Sequence, residues 1–224
     1  MHKNVKWRKK LPPWSPDFAY AIGLLVTDGS ISKDGRHIVF TSKDRQLIGH
    51  IAQILRVNGK VGRKSSGALT TGERRYYYLQ FSNVALYRFL NTIGIHPNKT
   101  KTIRQVLIPS RYFFHFLRGH FDGDGTFYSY HDPRWTTSFL YYLVFISASY
   151  RHLAWIRDTL QQLTDVKGSL VKKKNHGIYK LGYAKREAYR IIQKMYPTND
   201  VPCLTRKRLK IERALAILEQ SDKP

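Results

Sequence analysis

Cysteine is nearly absent from this chain: Cys203 stands alone, which excludes an internal disulfide and points to a reducing compartment. Acidic residues are scarce as well. Against 15 Asp and Glu there are 39 Lys and Arg, a net charge of +24 that is far more than solubility requires. No apolar run is long enough to cross a bilayer and the N-terminus lacks a signal-peptide pattern. The expectation is an intracellular protein without a membrane partner, in the cytoplasm or nucleoid or in an organelle matrix, and not secreted. The nine His include no helical pair at zinc spacing, and there is no G-x-x-x-x-G-K, so no nucleotide cofactor is expected. Asp122-Gly123-Asp124 opens like a calcium loop, but Phe127 and Pro133 stand where that loop needs Gly and Glu.

What is present is a basic chain with a real core. At 42% hydrophobic, its 224 residues suit one large domain or two of about 100. A basic surplus with 15 Tyr and 4 Trp spread through it points to nucleic acid, with phosphate neutralisation supplying most of the affinity. Ribosomal and histone-like proteins share such charge, but rarely 13% aromatic residues and a regular apolar pattern.

One ten-residue run occurs twice, as Ala21-Ile22-Gly23-Leu24-Leu25-Val26-Thr27-Asp28-Gly29-Ser30 and as Leu117-Arg118-Gly119-His120-Phe121-Asp122-Gly123-Asp124-Gly125-Thr126. Asp28 and Asp124 lie 96 positions apart, as do Gly23 and Gly119. Ser15-Pro16-Asp17 and Pro109-Ser110 are helix start signals ahead of the two copies, and each copy reads as about three helical turns ending at a Gly. Each Asp therefore falls at a helix C-terminus, which already carries roughly half a negative charge. If Gly23 and Gly119 let the two helices pack side by side, two carboxylates meet at two negative ends. A divalent cation between them relieves that repulsion, and two acids holding such an ion beside DNA suit phosphodiester hydrolysis. Asp28 and Asp124 are the candidate ligands, with the carbonyls of Thr27 and Gly123 beside them and Asp122 as a further acid that could join the site or serve the helix interface.

These two runs resemble the paired motifs of the LAGLIDADG homing endonucleases in their single-chain, two-motif, monomeric form. The first copy departs from the pattern at Ala21, Ile22, Val26 and Thr27, the second at Arg118 and His120; both keep the Gly, the acidic eighth position and the final Gly. The resemblance implies a magnesium-dependent nuclease that cuts double-stranded DNA at a long, asymmetric site and spreads a mobile intron or intein. Mn2+ is expected to substitute and Ca2+ to support binding without cleavage. The resemblance also implies a Lys near each scissile phosphate, and Lys99 and Lys207 fit; either they neutralise charge building on the phosphate or they are two of many Lys contacting it. Some members hold a water with a Gln at the end of the second strand; the matching positions here are Ser42 and Ala148, an asymmetry expected to unbalance cutting of the two strands. The rival implied class is a non-cleaving DNA- or RNA-binding relative, such as an intron maturase or a regulator.

The rest of the chain repeats around the motifs. After a basic arm over 1–14, which either follows DNA or stays solvated, the periodicity predicts helix, hairpin, helix, hairpin, helix over 15–95, a join over 96–109, and the same order over 110–224 with an extra C-terminal helix near 204–219. Leu209, Leu215 and Leu218 form that helix's expected apolar side, and insertions are expected in a His131–Thr137 loop. The fold class is α+β: two pseudo-symmetric αββαββα halves, a homing endonuclease fold whose antiparallel sheets form a saddle for DNA. Alternate hairpin residues suit the major groove, which admits a two-stranded ribbon. They are Ser30 and Ser32, then Thr126, Tyr128 and Tyr130, with Lys64, Arg74, Lys172, Lys174 and Lys180 on the later hairpins, each touching either a phosphate or a base.

Overall fold

The computed structural model describes residues 11–65, 75–174 and 176–221. At its centre α1 (Pro16–Asp28) and α4 (Phe113–Asp124) pack side by side. The helix α1 starts as its sequence requires, with the Phe18 N–H donating to Ser15 Oγ at 3.1 Å and Pro16 in the first turn. The start of α4 differs from expectation. Ser110 lies in a 3-10 turn, Ser110–Tyr112, and caps nothing, so the helix begins at Phe113.

Each of these helices runs directly into a strand, β1 (Gly29–Ile31) or β5 (Thr126–Asp132). The Gly at each junction has ordinary negative φ, so its role is space. A Cβ on Gly29 would lie 2.5 Å from the Leu25 carbonyl oxygen, and one on Gly125 would lie 2.4 Å from the Phe121 ring.

In the first half, β1 is followed by β2 (His37–Ser42), α2 (Arg45–Ile54), β3 (Lys60–Ser65), β4 (Arg75–Ser82) and α3 (Val84–Thr92). The second half repeats this with β5, β6 (Trp135–Ser147), α5 (Tyr150–Thr164), β7 (Ser169–Lys172), β8 (Tyr179–Ala184) and α6 (Lys185–Met195), and then adds α7 (Thr205–Ser221). The sheets are antiparallel, with orders β1-β2-β4-β3 and β5-β6-β8-β7. This is the expected α+β duplication of αββαββα halves. Ile38, Phe40 and Leu79 on one sheet, and Leu143, Phe145 and Leu181 on the other, are buried beneath the helices. The alternate residues face the other way.

Four local expectations fail for identifiable reasons. Asp44, which as an Asp just ahead of an apolar helical run reads as the cap of α2, does not cap it, because its carboxylate is taken by Arg206. Residues 131–137 are not a loop: β5 continues to Asp132 and β6 begins at Trp135, so the extra residues lengthen a hairpin turned by Pro133-Arg134, with a register shift after His131. On α7, Leu209 is 44% exposed, and the buried side is instead Lys207, Ile211 and Ala214, with Leu215 and Leu218 packed beside them. Position 42 corresponds to Ser147, not Ala148: Ser42 pairs with Tyr77 and Ser147 with Tyr179 at matching places in the two sheets. Each Ser Oγ accepts a backbone N–H two residues on, from Asp44 at 3.2 Å and Ser149 at 3.1 Å, so the expected asymmetry at this position is absent.

The α1–α4 contact admits no side chain at its crossing. A Cβ on Gly23 would stand 2.1 Å from the Phe116 carbonyl oxygen, and one on Gly119 would stand 2.0 Å from that of Tyr20. Both obstacles are backbone, so Gly119→Ala is expected to destabilise the protein by about 3 kcal/mol or more in urea titrations. Gly49→Ala on α2, where a Cβ meets nothing within 4 Å, is expected to stabilise it by about 1 kcal/mol.

Candidate metal and nucleic-acid site

The close crossing delivers Asp28 and Asp124 to one cleft, whose walls also include Thr27, Ser42, Gly123, Lys207 and Lys210. Gly123 is needed there, since a Cβ on it would lie 2.0 Å from Thr27 Oγ1 and 3.3 Å from Asp28 Oδ2. Burial, and then repulsion from Asp124, pushes the Asp28 carboxyl up to about 7, with Lys207 and Lys99 pulling it back. Asp124 is also raised by burial against the same two lysines. Neither carboxylate accepts a hydrogen bond from the described residues. Two carboxylates without protein donors fit a hard divalent ion that keeps water and phosphate as its remaining ligands. Among the described residues there is no group of three or more His, Cys, Asp or Glu around one point, so two acids are the whole side-chain donor set of that kind.

The lysines are buried and committed to the helix ends. Lys99, 7% exposed, donates to the Gly29 carbonyl at the end of α1. Lys207, 9% exposed, donates to four carbonyls where α4 ends: Phe121 at 2.6 Å, Asp122 at 2.8 Å, Gly125 at 2.7 Å and Gly123 at 3.3 Å. Each ammonium thus donates to carbonyls at a helix end and opposes the negative end of the helix dipole. Burial lowers both to about 8, while the nearby acids raise them. The Gly123 carbonyl, a candidate metal ligand, is already shared with Lys207.

Strand register sorts the candidate nucleic-acid contacts. Ser30, opposite Val39, and Thr126, Tyr128 and Tyr130, opposite Val144, Tyr142 and Leu140, lie on the faces away from the helices. Lys180 shares that face with Val171. Lys172 does not: it pairs with Tyr179, whose ring packs on Tyr150 of α5, and so it stands on the helix side of an edge strand. Ser32 follows β1 with its N–H bonded to the His37 carbonyl, and Lys174 is exposed in the β7–β8 turn. Lys64 sits opposite Tyr76 in β3, and Arg74 lies outside the described residues.

Residues 15–94 match the LAGLIDADG-like domain. Structures of mesophilic variants of the homing endonuclease I-DmoI are 19% identical, cover 82% of this chain and 97% of theirs, and superpose with a TM-score of 0.52. I-DmoI in complex with DNA and Ca is 19% identical over 91% of this chain and 97% of its own, at a TM-score of 0.54. The N-terminal LAGLIDADG domain of WhiA is 15% identical over 91% and 89%, at 0.55. The chain is a LAGLIDADG-fold protein. No curated protein matches it in sequence.

The places where the second LAGLIDADG run departs from an apolar helix explain how α7 is seated. Arg118, fully buried, donates to the Pro202 carbonyl at 2.9 Å and the Met195 carbonyl at 2.5 Å, and stacks over the Tyr20 ring at 5.3 Å. Asp122 accepts from Tyr20 OH at 2.8 Å and from the Leu204 N–H at 2.7 Å, both through Oδ2, so it serves the interface as well as lining the carboxylate cleft. His120 stacks on buried His152 at 5.2 Å, and burial lowers both rings below the usual imidazole range. From the first half, Asp44 accepts two bonds from Arg206 at 2.9 and 2.7 Å, and Gln46 donates to the Cys203 carbonyl and Thr205 Oγ1. Charged residues inside an apolar run are a signal of buried partners, but nothing in the sequence says which partners. Gln46 carries no such signal.

Lys207→Met is expected to remove the ammonium from the end of α4, where of its four carbonyl partners Phe121 keeps the Gly125 N–H, and to lower stability by about 3 kcal/mol, and Lys99→Met by less, in urea titrations of the metal-free protein. Because Asp28 titrates near 7 in the folded state against an ordinary value of 3.8, the folded chain holds a proton that the unfolded chain releases. The Asp28 contribution to the stability of the metal-free protein therefore falls as pH rises across that window, and Asp122, raised to about 6 chiefly by burial, adds in the same direction, while His120 and His152, lowered by burial, contribute the opposite slope. Thermal melts from pH 4 to 7.5 should show the wild type losing stability relative to Asp28→Asn as pH rises, the histidine contributions being common to both.

Proposed function

We propose that this LAGLIDADG-fold protein is a site-specific double-strand DNA endonuclease of the homing type, working as a monomer on a long asymmetric target. The observation that carries the proposal is the pair of donor-free carboxylates, Asp28 and Asp124, at two helix ends in one cleft of a chain with a net charge of +24. Mg2+ or Mn2+, held by Asp28 and Asp124 with the Thr27 carbonyl beside them, would supply a water of lowered pKa and a counter-charge for the departing oxygen. The protein's own part is placement. Lys99 and Lys207 neutralise the helix ends so that the acids can sit side by side, which makes them positioning residues. Thr126, which follows α4 into the second sheet, lines the cleft itself, so a duplex seated on the outer faces of the sheets brings its phosphates to the acids. Binding draws chiefly on the basic surplus and weakens steeply with salt.

A second reading, DNA binding without cleavage, has one observation in its favour: both buried lysines are spent on backbone carbonyls, leaving them less free to meet a scissile phosphate. The two readings diverge on activity. Target duplexes are first selected from a genomic or randomised pool in Ca2+ and then placed in a supercoiled plasmid. With Mg2+ the wild type should linearise the plasmid, while Asp28→Asn and Asp124→Asn should slow cleavage by about a thousandfold or more and still bind in Ca2+. A wild type that binds the selected duplex but leaves it intact with both Mg2+ and Mn2+ establishes the second reading.

A further inference from the structure

The outer faces of the two sheets are equivalent by register and opposite in chemistry. On the first sheet the central column runs Val39, Gln80, Lys60 across neighbouring strands. On the second, the same column runs Val144, Gly182, Ser169. An amide and an ammonium have given way to a hydrogen atom and a short hydroxyl. Beside this bare column three Tyr rings stand nearly parallel, with Tyr128 and Tyr142 5.0 Å apart, Tyr130 and Tyr142 6.2 Å apart, and interplanar angles of 19° and 13°. Tyr128, Tyr142, Val144 and Gly182 line a groove of about 470 Å³ across the sheet. Thr126 belongs both to this groove and to the carboxylate cleft, so the groove starts at the acids and leads outward.

In the major groove every base edge offers donors and acceptors, and the single apolar group among them is the thymine C5-methyl. Lys167, Lys180 and Glu187 also line the groove, but the stretch from Val144 and Gly182 to the Tyr rings carries no long hydrogen-bonding side chain to read guanine or adenine, and it can bury methyl groups. Alternate residues on a strand are about 6.7 Å apart, close to two base-pair steps, so Thr126, Tyr128 and Tyr130 can follow the stacked bases. We propose that the outer face of the second sheet reads thymine methyls, so that one half of the bound duplex is selected by apolar contact and the other by hydrogen bonding. This rests on the duplex-binding reading given above and goes beyond it in naming the bases.

The test is selection of bound duplexes from a randomised pool by the full chain in Ca2+, followed by replacement of thymine with deoxyuridine, which removes the methyl and keeps every hydrogen-bonding group. Thymine should be enriched in one half-site only. Deoxyuridine there should weaken binding about fourfold per methyl, and in the other half not at all. Gly182→Gln restores the amide of the first sheet; its Cβ would meet Val144 Cγ2 at 3.9 Å and the Ser169 carbonyl at 4.0 Å, ordinary contacts that keep the fold. That variant should shift the preference of the same half toward adenine and leave the other half unchanged. Duplex binding without thymine enrichment, or without a deoxyuridine effect, overturns this inference and leaves the duplex reading standing. Tighter binding of the single strand than of its duplex also overturns it, because the Tyr rings would then be stacking unpaired bases. No duplex binding at all removes both readings.

Discussion

Two helix backbones in near contact set the terms for everything else in this protein. Because Gly23 and Gly119 bring α1 and α4 together with no side chain between their backbones, the C-terminal ends of both helices, and the acids on them, arrive at one place. The arrangement is costly electrostatically, since two partial negative charges and two carboxylates share a partly desolvated cleft. The free energy for it comes from the aromatic and aliphatic core around the two helices, from Phe18 and Leu24 on one to Phe116 and Phe121 on the other. Packing thus holds the acids in a position that their charge resists.

The compensation is built into the chain, and it is asymmetric. One ammonium, Lys99, comes from the join after the first half, and the other, Lys207, from the first turn of α7, an element without a counterpart. Both reach backbone carbonyls and lie near the carboxylates, as the effect of each on Asp28 and Asp124 indicates. A lysine held in this way stabilises a folded but metal-free chain. It also keeps the helix ends from competing with the carboxylates for a cation.

Much of this architecture was legible in the sequence because the duplicated run fixes both a period and a register. Gly23 and Gly119 stand at matched positions, and only a backbone contact demands glycine in the middle of two apolar helices. The two acids were legible for the same reason. What escaped was everything set by tertiary reach. Lys99 and Lys207 were found as lysines late in each half, yet their burial against carbonyls depends on where the join and α7 dock. Asp44 reads as an N-cap by local rules, and a bidentate Arg206 from 162 residues away takes it instead. Lys172 and Lys180 look alike in sequence, but the pairing of Val171 with Lys180 puts them on opposite faces of one sheet. Ser147 and Ala148 are neighbours, and in a strand one residue decides the face.

The seating of α7 has a consequence for biogenesis. Arg118 and Asp122 of the second half, and Asp44 and Gln46 of the first, all grip residues 202–206 and so drop Lys207 onto the end of α4. That segment leaves the ribosome after both acids, both sheets and both motif helices have been made. A nascent chain can therefore assemble its two halves while the cleft still lacks one of its two ammonium groups, and α7, which emerges after them, finishes it.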